Sequence, residues 1–317
     1  MVHNETISWL LEGDVAIRYQ TYRDLLGVTK PKLQQKIANH GWGLQFLTNQ
    51  KSNGHWGLGF YQPKWTSSHY TLLDLKNLAI QSDLPAISTI IHMILREEKG
   101  EDGGINPGKT VSKSDVCING MFLNYATYFG ADPSDLESVV DYILSQQLPD
   151  GGFNCQLSRK GATHSSLHST ISVVEGIREY AHHGYEYRLE ALEKAELESR
   201  EFMLEHRLYK SDKTGKIIDN RMTMLSYPCR WRYDILRALE YFQVAGADFD
   251  DRMEDAIELL KSKQRKDQTW PVQQKHPGKT HFDMEQTGKS SRWNTLRALK
   301  VLKHFSQPDQ QMMMGIG

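Results

Sequence analysis

Arg232-Tyr233-Asp234-Ile235-Leu236-Arg237-Ala238-Leu239 returns sixty residues on as Arg292-Trp293-Asn294-Thr295-Leu296-Arg297-Ala298-Leu299. A looser copy, Arg18-Tyr19-Gln20-Thr21-Tyr22-Arg23-Asp24-Leu25, opens the chain. Such a repeat means that one supersecondary unit is stacked several times, each unit covering the apolar face of its neighbour. Between the Arg copies lie segments of the same helical spacing with other opening residues, at 68–75, 115–123 and 167–177. Aligned on apolar positions, Arg18, Thr71, Ile118, Thr170, Arg232 and Arg292 are equivalent. Their intervals of roughly 50–60 residues leave room for two helices and two connections per unit. Segments 135–144 and 251–260 alternate with them and carry apolar residues at i, i+3, i+4 and i+7, the pattern of amphipathic outer helices. The spacing predicts an all-α fold, an (α/α)6 toroid of six hairpins, with the N-terminal ends of the inner helices around one mouth of a central cavity. It predicts one domain over 1–306 and a frayed tail over 307–317 that contains Met312-Met313-Met314.

Gly-rich loops join outer to inner helices: Gln50-Lys51-Ser52-Asn53-Gly54-His55-Trp56, Glu101-Asp102-Gly103-Gly104-Ile105, Gln147-Leu148-Pro149-Asp150-Gly151-Gly152-Phe153 and Gln264-Arg265-Lys266-Asp267-Gln268-Thr269-Trp270. Asn-Gly and Asp-Gly supply a positive-φ turn, and the following Trp, Phe or Ile pins the loop to the neighbouring hairpin.

Composition sets bounds. With 38 basic and 39 acidic residues the formal net charge is −1, so no global field points to nucleic acid or to an anionic membrane. The first residues lack a basic and apolar leader, and no apolar run approaches the ~20 residues of a membrane span. A cytoplasmic protein without a transmembrane segment is the expectation. Cys117, Cys155 and Cys229 are odd in number and sparse, which reads as reduced thiols or metal ligands and not as a disulfide framework.

In ring order the inner-helix openings form two arcs. One holds Arg232-Tyr233, Arg292-Trp293 and Arg18-Tyr19, with Arg230 and Trp231 just ahead. Read functionally, it is an anion site walled by aromatic faces, because guanidinium groups bind phosphate or carboxylate bidentately. Read structurally, each Arg pairs with an acid of the next hairpin and each aromatic packs the core. The other arc presents His69, then Asp115 and Cys117, then His168. Asp115, Cys117 and His168 offer a carboxylate, a thiolate and an imidazole, a zinc set that leaves the fourth position open; Cys155 and Cys229 are alternative thiolates, and a buried Cys is also a small core residue. Asp115, His168 and His69 are the candidate catalytic groups.

The Gln-x3-Gly-x-Trp/Phe loops and the six-unit arithmetic resemble the squalene and hopene cyclases and the β subunits of protein prenyltransferases. Phrases such as Trp9-Leu10-Leu11-Glu12-Gly13-Asp14 and Pro63-Lys64-Trp65-Thr66-Ser67-Ser68 are similar to a bacterial family labelled squalene-cyclase-like or prenyltransferase-like. The resemblance spans essentially the whole chain. It implies zinc on the Asp-x-Cys of Asp115 and Cys117, with His168 one residue early, and diphosphate contacts from His69, Lys109 and Lys113. It also implies an isoprenoid or other apolar substrate with an anionic head on Arg18, Arg230, Arg232 and Arg292, and aromatic faces of Tyr19, Tyr233 and Trp293 beside a developing cation. Asp248-Phe249-Asp250-Asp251 looks like a cyclase proton donor but lies in a turn at the far end, where an Asp caps the following helix.

Two other readings stand beside this one. A carbohydrate-active toroid, a uronate lyase or a glycoside hydrolase, would bind uronate on the arginines and use His or carboxylates as acid and base; a non-catalytic binding or scaffold module would fill the centre with its own aromatics. Thr280-His281-Phe282-Asp283-Met284-Glu285 lies in a long loop of the kind that covers a site, and His281 with Asp283 or Glu285 forms an acid/base pair on one reading and exposed loop polarity on the other.

Overall fold

The computed structural model describes residues 4–108 and 112–306; Lys109 and the tail 307–317 lie outside them. Helix makes up 54% and strand 4% of the structure, which places it among the all-α folds. The helices are α1 (Asn4–Leu11), α2 (Val15–Gln20, continued by a π turn Thr21–Leu25), α3 (Pro31–Gln35), α4 (Gly41–Thr48), α5 (Ser68–Asn77), α6 (Pro85–Glu97) and α7 (Val116–Tyr128). They continue with α8 (Pro133–Ser145), α9 (Leu157–Lys160), α10 (Leu167–His182), α11 (Leu189–Glu205), α12 (Ile235–Val244), α13 (Glu254–Ser262) and α14 (Arg292–Phe305). A short antiparallel pair, β1 (Trp270–Pro271) and β2 (Ser290–Ser291), ties the last loop together. No helix among the described residues is long and apolar enough to cross a membrane.

Two kinds of helix alternate. In α5 and α7 nearly every residue is buried, whereas α6, α8 and α13 bury one stripe, such as Ile87, Ile90, Ile91, Ile94 and Leu95 of α6. α7 and α10 touch backbone to backbone: a Cβ on Gly176 would stand 2.3 Å from the Gly120 carbonyl oxygen. Only glycine permits that approach.

The loops repeat one hydrogen-bond scheme. Gln50 Nε2 donates to Gly54 O at 2.8 Å, and Gln147 Nε2 to Gly151 O at 2.9 Å. Six residues after each Gln stands Trp56 or Phe153, both buried, and in the last hairpin Trp270 follows Gln264 in the same way. Trp56 Nε1 donates to Phe46 O and Trp270 Nε1 to Leu260 O, each at 2.7 Å. The backbone N–H of the pinning residue donates to a side chain near the start of the next buried helix: Trp56 to Ser68, Ile105 to Asn119, Phe153 to Thr170, Trp270 to Thr295. Buried backbone donors are thereby satisfied by the repeat itself.

Ion pairs link successive buried helices. Arg237 of α12 meets Glu175 of α10 at 2.6 Å, and Arg297 of α14 meets Glu240 of α12 at 2.6 Å. The chain also closes end to end. Lys300 of α14 lies 3.5 Å from Asp24, Lys303 Nζ donates to Leu25 O, and Arg292 Nε donates to Trp9 O.

Candidate functional site

The predicted Arg arc divides because the helix starts slide. α12 begins at Ile235, with the Asp234 carboxylate accepting from Arg237 N–H, whereas α14 begins at Arg292, with Ser291 Oγ accepting from Asn294 N–H. Arg232 therefore stands in the connection before its helix, and its sequence partner Arg292 stands in the first turn. The Arg292 guanidinium turns away over Trp9, 4.5 Å from the ring centre. Arg18 is exposed on α2, Tyr19 and Tyr233 are buried, and Tyr233 spends its hydroxyl on Leu208 O. Trp293 is buried and stacked on Tyr227 at 4.8 Å. Lys113 is exposed. Arg230 and Arg232 remain together.

They join a row that the sequence does not announce. The guanidinium of Arg230 lies 4.6 Å from the ring centre of Trp65, and Lys64 Nζ lies 5.0 Å from Trp65 and 4.9 Å from Trp231. Arg232 stands 4.8 Å from Trp231. The order is Arg230, Trp65, Lys64, Trp231, Arg232. None of the three cations forms an ion pair among the described residues, and burial pulls the pKa of each below its usual value. Arg230 adopts φ +56°, a left-handed conformation that costs a residue with a Cβ energy and that packing here must enforce.

Trp65 is held in place by the loop before α14. Its Nε1 donates to Pro277 O at 2.6 Å, and a Cβ on Gly278, at φ +131°, would come within 2.5 Å of the indole. That loop also supplies His276 and His281, which line a cleft with Phe46, Trp65, Tyr227 and Arg230. His281 Nε2 shares a 3.0 Å hydrogen bond with Thr71 Oγ1. Burial, reinforced by Arg230, lowers both imidazoles to about 4, so both are neutral at pH 7. Asp74, fully within α5, is raised by burial to about 6 against the opposing pull of Arg230. Glu285 is raised by burial to about 7 while its Oε1 accepts from Trp293 N–H.

On the other side of the row stand Asp115, Cys117 and His168. Asp115 and Cys117 open α7 and face Lys64 electrostatically. His168 packs edge-on against Trp231 at 5.4 Å, and its Nδ1 accepts from Tyr233 N–H at 2.9 Å. The backbone donor fixes the tautomer: neutral His168 carries its proton on Nε2. Burial and the arginines Arg237 and Arg232 lower it to about 4. The predicted zinc set is not gathered around one point. Among the described residues no group of three His, Cys, Asp or Glu side chains has the geometry to hold an ion, and the neighbouring Cys155 together with burial pushes the Cys117 thiol well above its usual value. Cys229 lies apart, its sulfur 3.4 Å from Arg297 Nη1. His69 is fully buried in a box of Phe60, Tyr61, Tyr70 and Tyr125. Its Nδ1 meets Tyr125 OH at 3.2 Å, and burial drives it to about 3.

At the far end, Asp250 caps the turn before α13, accepting from Arg252 N–H at 2.8 Å and pairing with its guanidinium. Lys64, Trp65, Asp74 and His276 are the members of the site that the repeat did not single out. The signal available was the compact run Pro63-Lys64-Trp65 ahead of a buried helix.

No family model matches the chain, and no curated protein matches it. The chain is similar to a polysaccharide lyase. That solved structure covers 99% of this chain and 98% of its own, at a TM-score of 0.51 and 13% identity. A likeness of this size shows the fold, and it fits an α/α toroid. It corrects the resemblance to terpenoid cyclases and prenyltransferase β subunits: the Gln-x3-Gly struts and stacked hairpins specify a way of packing helices, which toroids of unrelated chemistry share.

Proposed function

We propose that the chain is a carbohydrate-active toroid of six hairpins over 1–306 that binds an acidic polysaccharide across its mouth and cleaves it by β-elimination. The observation that carries this reading is the row Arg230, Trp65, Lys64, Trp231, Arg232, three cations without an ion-pair partner among the described residues on two indoles. Sugar rings stack on indole faces, and uronate carboxylates accept charge-assisted hydrogen bonds. A guanidinium stacked on a ring keeps its in-plane N–H groups for such a carboxylate. The likeness to a polysaccharide lyase supports the same class.

Elimination from a uronate requires positive charge at the carboxylate to acidify the adjacent C–H, a base for that proton and a donor for the departing glycosidic oxygen. Lys64, Arg230 and Arg232 supply the charge. His281 or His276, neutral and beside Arg230, takes the proton. His168 donates from Nε2, because its Nδ1 is occupied by Tyr233 N–H. Asp115 favours the charged form of Lys64 from a distance, and the buried His69 takes no direct part. A glycoside hydrolase would instead need two carboxyl groups flanking the bond at ~5–9.5 Å. The acids lining the cleft are already engaged, Asp283 with Lys275 and Glu285 with the start of α14, which favours elimination.

The test is incubation with a panel of polyuronates, following the ultraviolet absorbance of the unsaturated product and, by calorimetry, binding. Product formation that Arg230→Ala and Lys64→Ala abolish, with helical circular dichroism intact, is the expected result. Binding without product would make the chain a non-catalytic module; neither binding nor product would overturn the reading.

A further inference from the structure

Arg230 is 7% exposed and His276 6%, and both line the cleft under the loop before α14. Each keeps a buried polar atom without a hydrogen-bond partner among the described residues, Nη1 of Arg230 and Nε2 of His276. Buried polar groups are almost always satisfied, and an orphaned charged one is the most costly to leave. One indole stands beside both. The guanidinium carbon of Arg230 lies 4.6 Å from the ring centre of Trp65, and the His276 ring centre lies 6.4 Å from it. Their backbones are fixed as well: Arg230 is held at φ +56°, and His276 directly precedes Pro277, whose carbonyl anchors Trp65.

The charge of Arg230 is not balanced nearby. Asp283 pairs with Lys275, Glu285 accepts from Trp293 N–H, and Asp74 acts on Arg230 without forming an ion pair. A guanidinium stacked on an indole still has in-plane N–H groups to donate. The cleft encloses a cavity of about 20 Å³, a little more than the ~10–15 Å³ that one water needs. It has room for a single small ion or for the carboxylate of a larger ligand, and not for a sugar ring.

We infer that this cleft binds one small monovalent anion, a free ion or a ligand's carboxylate, on Arg230 Nη1 with His276 as a second donor. An anion there selects the His276 tautomer that carries its proton on Nε2. The inference stands independently of the elimination reading; where both hold, His276 is a donor and His281 takes the proton.

The chain is exchanged into halide-free buffer, with ionic strength held by a bulky sulfonate, and titrated with chloride, bromide and formate while thermal unfolding is followed. A ligand that binds only the folded state raises apparent stability saturably. The expected result is a saturable rise in Tm of ~2–4 °C, lost in Arg230→Gln and kept in Arg221→Gln. Should Arg230→Gln fail to fold, a bromide-soaked crystal of the unaltered protein decides, with its anomalous peak expected ~3 Å from Arg230 Nη1. Glucuronate separates the two sources: competition with chloride assigns the site to a ligand's carboxylate, and a chloride response that glucuronate leaves unchanged assigns it to a free ion. A rise that is linear in salt and the same in Arg230→Gln, or bromide confined to the protein surface, would overturn the inference. Polyuronate cleavage without any anion effect would overturn it and leave the elimination reading intact. An anion effect without polyuronate binding or cleavage would do the reverse.

Discussion

Arg237 and Glu175 are joined by a fork of two hydrogen bonds, Nε to Oε1 at 2.8 Å and Nη2 to Oε2 at 2.6 Å, and one hairpin on Arg297 Nε donates to Glu240 Oε2 at 2.6 Å while Lys300 Nζ donates to Glu240 Oε1. The guanidinium of Arg237 is almost fully buried and also reaches Arg232 O. Removing one partner of a buried pair leaves an uncompensated charge and costs ~3–5 kcal/mol, whereas replacing both with apolar groups of similar volume is often neutral. Arg237→Met is expected to lower the unfolding free energy by that amount in urea denaturation, and Arg237→Met with Glu175→Leu to recover most of it. A single-variant loss no larger than the ~0.5 kcal/mol of an ordinary surface substitution would show that the fork contributes little.

The same residues explain what could be read from the sequence. The repeated phrase contains two arginines, and the second, Arg237 or Arg297, performs the same structural task in both copies. The helical class, the alternation of buried and amphipathic helices and the strut loops follow from apolar period and turn chemistry, which are local. The site is not local. Arg232 and Arg292 occupy one column of the alignment, but a shift of the N-cap from Asp234 to Ser291 carries one into a loop and the other into a helix. No periodicity encodes that shift. Nor does the sequence bring Arg230 to Trp65, because their contact depends on the loop 277–281 folding over the indole. Asp115, His168, Arg230 and Arg232 stand at or just before helix starts, and those starts are what the repeat locates.

Buried acid and base groups give the protein two opposed pH dependences. Burial lowers His69 to about 3 and His168, His276 and His281 to about 4, below the ~6.5 of an unfolded histidine. The stability from keeping them neutral is full above that value and is lost as pH falls towards 4. Glu285 behaves oppositely. Its folded value of about 7 exceeds that of a free carboxyl, so its contribution is full at low pH and is lost as pH rises through 7. Glu285→Gln keeps an acceptor for Trp293 N–H and removes the titration. Relative to the unaltered protein it is expected to gain stability as pH rises from 5 to 8, by at most about 3 kcal/mol. Urea melts at the two pH values measure this, and a difference that does not change with pH would show that Glu285 titrates as an exposed carboxyl.

Gly278 connects the long loop to the cationic row, and its replacement separates site geometry from global stability. A methyl group at this position would stand 2.5 Å from Trp65 Cδ1 and Nε1, at a φ that side chains rarely adopt. The indole cannot retreat without losing its bond to Pro277 O and its stack on Arg230. The loop is the more mobile partner, because it is irregular and partly exposed whereas Trp65 is buried. Gly278→Ala is therefore expected to lift residues 277–281 from Trp65, carrying His281 away from Thr71, at a stability cost of ~1–3 kcal/mol. Affinity for a polyuronate should fall at least tenfold, equivalent to ~1.4 kcal/mol, while helical circular dichroism is unchanged, and the loop should become the first site of limited proteolysis. Unaltered affinity together with an unaltered cleavage pattern would mean that the loop does not hold Arg230 and Trp65 in their binding geometry.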